Sequence, residues 1–128
     1  TTPSHEVRLI FVDTSVWIAH FRKSNVGLAE LLDRGQVATH PFVIGELACG
    51  NLSHRKEILK YLSELPVAVT ATNEEVIHLI ERHKLGGKGL GWTDMNLLAS
   101  ALLSNMPLWT RDHRLATVAK TIGVAGHA

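Results

Sequence analysis

Residues 7–12 read Val-Arg-Leu-Ile-Phe-Val, a short, nearly unbroken β-forming run, and an aspartate closes it. Such a run fits a strand buried on both faces, the situation of a parallel sheet covered by helices on each side. Asp13-Thr14-Ser15 follows with side chains suited to capping a helix, which the spacing predicts over 16–21. The rest of the chain repeats this alternation. Helices are expected at 26–33, at 42–49 behind Pro41, at 53–65, after Asn73 as a cap, at 93–104 and at 112–120. Short strands are expected at 36–39, 67–69 and 107–110. Strands alternating with helices over 128 residues predict one α/β domain. Its expected form is a three-layer α/β/α unit around a mostly parallel sheet of four to five strands, with residues 1–6 as a polar tail.

Composition narrows the function classes. Apolar residues at 45% and charged residues at 20% are those of a folded globular chain. Thirteen Lys and Arg against twelve Asp and Glu leave +1, too little to grip nucleic acid by charge alone. If the substrate is a nucleic acid, a metal ion has to help hold its phosphates. No apolar run approaches the ~20 residues of a membrane span, and no secretory leader is expected. The one cysteine, Cys49, can form neither an internal disulfide nor a cysteine-rich zinc site, which fits a reducing cytoplasm.

In open parallel sheets ligands collect at the carboxyl ends of the strands. Three of the four aspartates, Asp13, Asp94 and Asp112, stand where a strand ends or a helix begins. Each taken alone reads as a helix cap. Glu46 does not: it falls mid-helix, with Phe42, Val43, Cys49 and Gly50 three and four positions away and no cationic neighbour. Asp94 shares its face with Leu97, Leu98, Ala101 and Leu102. An unpaired carboxylate in such company is costly unless protonated or neutralised by a cation. An acidic pocket of this kind suits Mg²⁺ or Mn²⁺ rather than zinc.

The segments IFVDTSVWIAHFR, HPFVIGELACG, GLGWTDMNLLASALL and LWTRDHRLATVA carry these four acids in order. Together they resemble the PIN-domain ribonucleases, specifically the VapC toxins of toxin–antitoxin pairs. The resemblance implies an active site at Asp13, Glu46, Asp94 and Asp112 that holds one or two Mg²⁺ or Mn²⁺ ions. Asp13 and Asp94 are then the direct ligands, and Glu46 and Asp112 act directly or through water. It also implies an RNA substrate, a VapB-like antitoxin as partner and a homodimer. The chemistry expected is in-line attack on phosphorus by water activated on a metal ion, leaving a 5′-phosphate and a 3′-hydroxyl.

Other features weigh less. Lys88 in the glycine-rich loop 86–91 and Arg111 and Arg114 beside Asp112 are candidates for phosphate contact. The loop lacks the Walker and dinucleotide patterns and reads as a connector. Ser15 or Thr110 can lend a hydroxyl to a metal's water shell. None of the eight histidines falls in a metal-binding spacing, although His20 and His113 could line the rim. Trp17 and Trp109 read as core, Trp92 equally as core or base-stacking. Trp17, Phe21, Leu28 and Leu31 exceed what one small core readily covers, which suits a groove for a partner helix. The competing reading is a non-catalytic α/β interaction domain whose aspartates only cap helices. A phosphoacceptor receiver domain would need a second acid beside Asp13, and none is there.

Overall fold

The computed structural model describes residues 8–126, so the expected tail at 1–6 lies outside the described residues. Strand β1 (Ile10–Val12) is the centre of the sheet, with β2 (Val37–Ala38) on one side and β3 (Leu108–Trp109) on the other. Both pairings are parallel, with Ile10 opposite Val37 and Phe11 opposite Leu108. Consecutive strand residues face opposite sides of a sheet. Phe11 and Val12 are both fully buried, so both faces of β1 are covered. The continuous apolar run thus has the cause expected of it.

The sheet is smaller than the four to five strands expected. Three strands form, and two single parallel bridges, Thr39 with Val67 and Leu108 with Ala125, mark where a fourth and a fifth would lie. The 67–69 segment pairs only once: the Thr39 amide donates to Pro66 and the Ala68 amide to Thr39. Val67 and Val69 are both about half exposed, so little burial drives a longer edge strand there.

Seven helices occur among the described residues: α1 (Thr14–Arg22), α2 (Val26–Asp33), α3 (Pro41–Cys49), α4 (Arg55–Ser63), α5 (Asn73–Arg82), α6 (Trp92–Ser104) and α7 (His113–Thr121). Local geometry sets where three of them begin. Helix α1 begins at Thr14 because Asp13 itself is the cap. Helix α4 begins only after His54, which adopts a left-handed backbone with φ +54°. Thr72, not Asn73, caps α5: its hydroxyl accepts from the Glu75 amide at 3.1 Å, and the Glu75 carboxylate accepts from the Thr72 amide at 2.8 Å.

Helix α6 is the core's spine, buried without interruption from Met95 to Ala101. It feeds β3 through a short turn at the amino edge of the sheet. A crossover helix runs opposite to its strands, so the N-terminus of α6 returns to the carboxyl edge. The same edge receives Asp13 from β1, α3 from β2, and the turn that leads from β3 into α7.

Candidate active site

Asp13 leaves the sheet with its carboxylate buried, at 6% exposure. Its Oδ2 accepts from the Ser15 hydroxyl at 2.8 Å, the Thr110 hydroxyl at 2.7 Å and, more distantly, the Ser15 amide at 3.4 Å. All three converge on Oδ2; among the described residues Oδ1 receives no hydrogen bond. The two hydroxyls are held in turn. Ser15 Oγ accepts from the Arg111 amide at 2.9 Å, and Thr110 Oγ1 accepts from the Asp112 amide at 3.0 Å. Ser15 and Thr110 were expected as donors to a metal's water shell; in this geometry they orient Asp13 and tie the end of β1 to the turn after β3.

Asp112 caps α7, accepting from the Leu115 amide at 3.1 Å, and is exposed. Asp94 occupies the third position of α6, where its carboxylate accepts from the Gly91 amide at 3.3 Å. The capping reading is therefore correct for the three aspartates as local geometry. It says nothing of Glu46, which caps nothing.

The sequence argument for Glu46 needs correction. Its side chain is exposed rather than buried on an apolar face, because α3 turns it toward the open carboxyl edge. There Glu46 Oε1 accepts from the Thr14 hydroxyl at 2.8 Å. Thr14, beside Asp13, thus tethers the carboxylate of α3 to the end of β1. Sequence reasoning missed that role, although a hydroxyl next to the first acid was visible in the Asp-Thr-Ser run.

The four acids share one electrostatic neighbourhood. Burial pushes the Asp94 carboxyl above the usual carboxylate range; the Gly91 amide opposes this, while the charges of Asp112, Asp13 and Glu46 push it further up. No Lys or Arg among the described residues forms an ion pair with any of the four. Nor do any three His, Cys, Asp or Glu side chains lie close enough to hold one ion between them, among the described residues. A protein cage of the calcium or zinc kind is therefore not what is built. A hard divalent ion that keeps several waters and takes one or two carboxylates fits the donor set, as do the free Oδ1 of Asp13 and the mutual repulsion at Asp94.

The flanking residues divide. Arg114 lies against the glycine-rich loop: a Cβ on Gly89 would come within 2.9 Å of Arg114 Nη1. Lys88 in that loop, Arg111 and His113 are exposed. His20 is not poised for chemistry; its Nδ1 accepts from the Asn25 amide at 2.9 Å, and burial lowers its pKa. Trp17 and Trp109 are core as expected, whereas Trp92 is 43% exposed. The apolar surplus assigned to the first helices is smaller than expected. Trp17 and Leu28 are fully buried and Leu31 packs against the core, which leaves Phe21 exposed. Phe21, with Ile18, Leu52 and Ile58, lines a groove of about 570 Å³ that Glu46 borders.

The PIN-domain family model matches residues 10–121, a span that contains all four acids. The chain belongs to the PIN-domain family. Ribonuclease VapC32 of Mycobacterium tuberculosis, from strains CDC 1551 / Oshkosh and ATCC 25618 / H37Rv, is 45% identical to it over 118 residues, covering 91% of this chain and 95% of the relative. This PIN domain is accordingly a ribonuclease of the VapC kind, as the four sequence segments implied.

Proposed function

We propose that this PIN domain is a metal-dependent endoribonuclease toxin, with Asp13 and Asp94 as the direct carboxylate ligands of one or two Mg²⁺ or Mn²⁺ ions. Glu46 and Asp112 complete the site directly or through water. The observation that carries the reading is the arrival of Asp13 from β1, Glu46 on α3, Asp94 on α6 and Asp112 before α7 at one carboxyl edge of the sheet, with no cationic side chain among the described residues paired to any of them. Helix capping accounts for the three aspartates singly but not for their meeting Glu46. When bound, a divalent ion supplies Lewis-acid polarisation of the phosphate and lowers the pKa of water at the site.

The chain's own groups do the positioning. Ser15 and Thr110 hold Asp13 Oδ2, which leaves Oδ1 without a hydrogen bond among the described residues and available to a cation. Thr14 fixes Glu46 on the opposite wall, where its carboxylate can orient or deprotonate an attacking water. Arg111, Arg114 and Lys88 offer positive charge to the RNA backbone on either side of the scissile bond. Cleavage then leaves a 5′-phosphate and a 3′-hydroxyl.

The VapC name of the relatives supports a VapB-like antitoxin as a second component that neutralises the enzyme; the groove beside Glu46 as the surface for its helix and a homodimer as the working unit are part of the same proposal. A cytoplasmic setting follows from that reading; no helix among the described residues is long and apolar enough to cross a membrane. The test is expression of the protein followed by sequencing of the new 5′ ends in total RNA. Discrete 5′-phosphate ends that vanish in the Asp94→Asn protein support the reading. Identical ends from both proteins remove Asp94 from the chemistry, and no new ends at all would favour the interaction-domain reading.

A further inference from the structure

One titratable group takes no part in the chemistry above and is nonetheless fully buried. His40 has 0% exposure, and so does Ser100. His40 sits at the N-cap of α3 and its Nδ1 accepts from the Phe42 amide at 2.9 Å. An acceptor at Nδ1 requires the proton to be on Nε2, which therefore donates to Ser100 Oγ, 3.1 Å away. Ser100 belongs to α6. Among the described residues this is the one side-chain hydrogen bond that joins α3 to α6. Glu46 lies six residues along α3 from His40, and Asp94 six residues back along α6 from Ser100, so the bond ties together the two helices that carry these acids.

We infer that His40 and Ser100 form a positioning clasp that sets the separation of Glu46 from Asp94, and that the clasp holds only while the imidazole is neutral. The inference rests on the ribonuclease reading for its activity arm and is independent of it for its structural arm. A second proton on Nδ1 turns that atom from acceptor to donor, facing the Phe42 amide, itself a donor. The cap of α3 is then lost while a charge is buried. Nothing compensates that charge. From β1 the ring meets Phe11, stacked at 6.0 Å between centroids; from α3 it meets Phe42, edge-on at 5.2 Å; from α6 it meets Ser100. Burial alone lowers its pKa, with no carboxylate opposing the shift.

The test uses Ser100→Ala, Ser100→Thr and His40→Asn in the full chain. Asparagine keeps an acceptor for the Phe42 amide but is too short to reach Ser100, so it separates capping from clasping. Loss of groups that orient an active site typically costs about 10- to 100-fold. Ser100→Ala and His40→Asn are expected to lose kcat in that range with KM little changed, and Ser100→Thr to recover most of it. The acid-side fall in parent kcat that follows imidazole protonation should be absent in His40→Asn. Folded Ser100→Ala and His40→Asn proteins with parental kcat and parental pH profile overturn the inference. Should a variant not fold, the same question is read in the Asp13→Asn protein without metal, by nuclear magnetic resonance. The ring ¹⁵N shifts of His40 should report the Nε2–H form, and its titration should move the Glu46 and Asp94 amide signals together. An Nδ1–H ring, or titration without effect at those two amides, overturns it. Loss of all activity in the parent would sink the ribonuclease reading and leave this second measurement standing.

Discussion

At the scale of single residues, Asp94 carries the tension of the site. Its folded-state pKa lies above the unfolded value, so the folded protein binds more protons in that window. The stability it contributes is full below the unfolded pKa near 3.8 and is lost as pH rises through the folded value. At neutral pH without metal, Asp94→Asn should therefore melt higher than the parent, while losing more than about 100-fold in cleavage. Paired thermal melts and rate measurements check both. A lower melting point would return Asp94 to the role of a helix cap. Asp13 behaves differently because two hydroxyls depend on it. Asp13→Asn can keep an oxygen where Oδ2 stands, whereas Asp13→Ala strands Ser15 and Thr110 and removes the cap of α1. Alanine should cost about 1–3 kcal/mol and asparagine much less, with cleavage lost in both. The positions of these acids were legible in the sequence, since each aspartate ends a strand or opens a helix. The long-range hydroxyl that aims Asp13 was not: a threonine 97 residues away becomes a partner only once β1 and β3 lie side by side.

At the scale of elements, apolar spacing placed the helices and the strands β1, β2 and β3, but not how far the 67–69 edge would pair. Periodicity over eight to thirteen residues is a strong signal, whereas two or three sheet residues carry little. The 67–69 run looks like β1 in composition, yet it lies at an edge where burial is partial, and only one bridge forms. Helix starts depended on caps that compete locally, as Thr72 does with Asn73. His40 shows the limit most clearly. As one of eight histidines with no metal spacing it looked inert, and only the fold, which brings Ser100 of α6 to the N-cap of α3, gives it a partner. Its lowered pKa gives a stability effect of opposite sign to that of Asp94: stability is present above the unfolded value of 6.5 and is lost as pH falls through the folded one. Melts from pH 7.5 down to 5 should show a decline that is shallower in His40→Asn, where only His20 still contributes. The glycine-rich loop makes a separate prediction. Gly89 has φ +85° and Arg114 lies against it, so Gly89→Ala adds backbone strain of about 1–2 kcal/mol and displaces the guanidinium. KM for an RNA oligonucleotide should rise and kcat stay near parental; an unchanged KM takes Arg114 out of the RNA path.

At the scale of the whole molecule, the acidic edge and the apolar groove are neighbours, and Glu46 belongs to both. A carboxylate site that must hold a cation is, by the same charge, open to a cationic side chain brought in on a protein. The groove between α1, α3 and α4 offers Ile18 and Phe21 from one helix and Ile58 from another, spacing that suits the apolar face of an amphipathic helix. A proposed antitoxin helix seated there could place an Arg at Glu46 and compete with metal and RNA together. This coupling predicts a separation of functions. Phe21→Asp, in the groove but not among the four acids, should leave RNA cleavage within about threefold of parent, since the side chain is exposed and surface changes are usually small. The same substitution should weaken inhibition by the product of the adjacent reading frame by tenfold or more, because a buried aromatic anchor is typically worth over 1 kcal/mol at an interface. Glu46→Gln should show the converse, with cleavage lost and binding weakened only through the missing charge pair. Inhibition titrations on the parent and Phe21→Asp proteins, with light scattering to count chains in each complex, decide the matter. Equal inhibition of both would move the partner off this groove, and the acidic edge would then have to be blocked from another side.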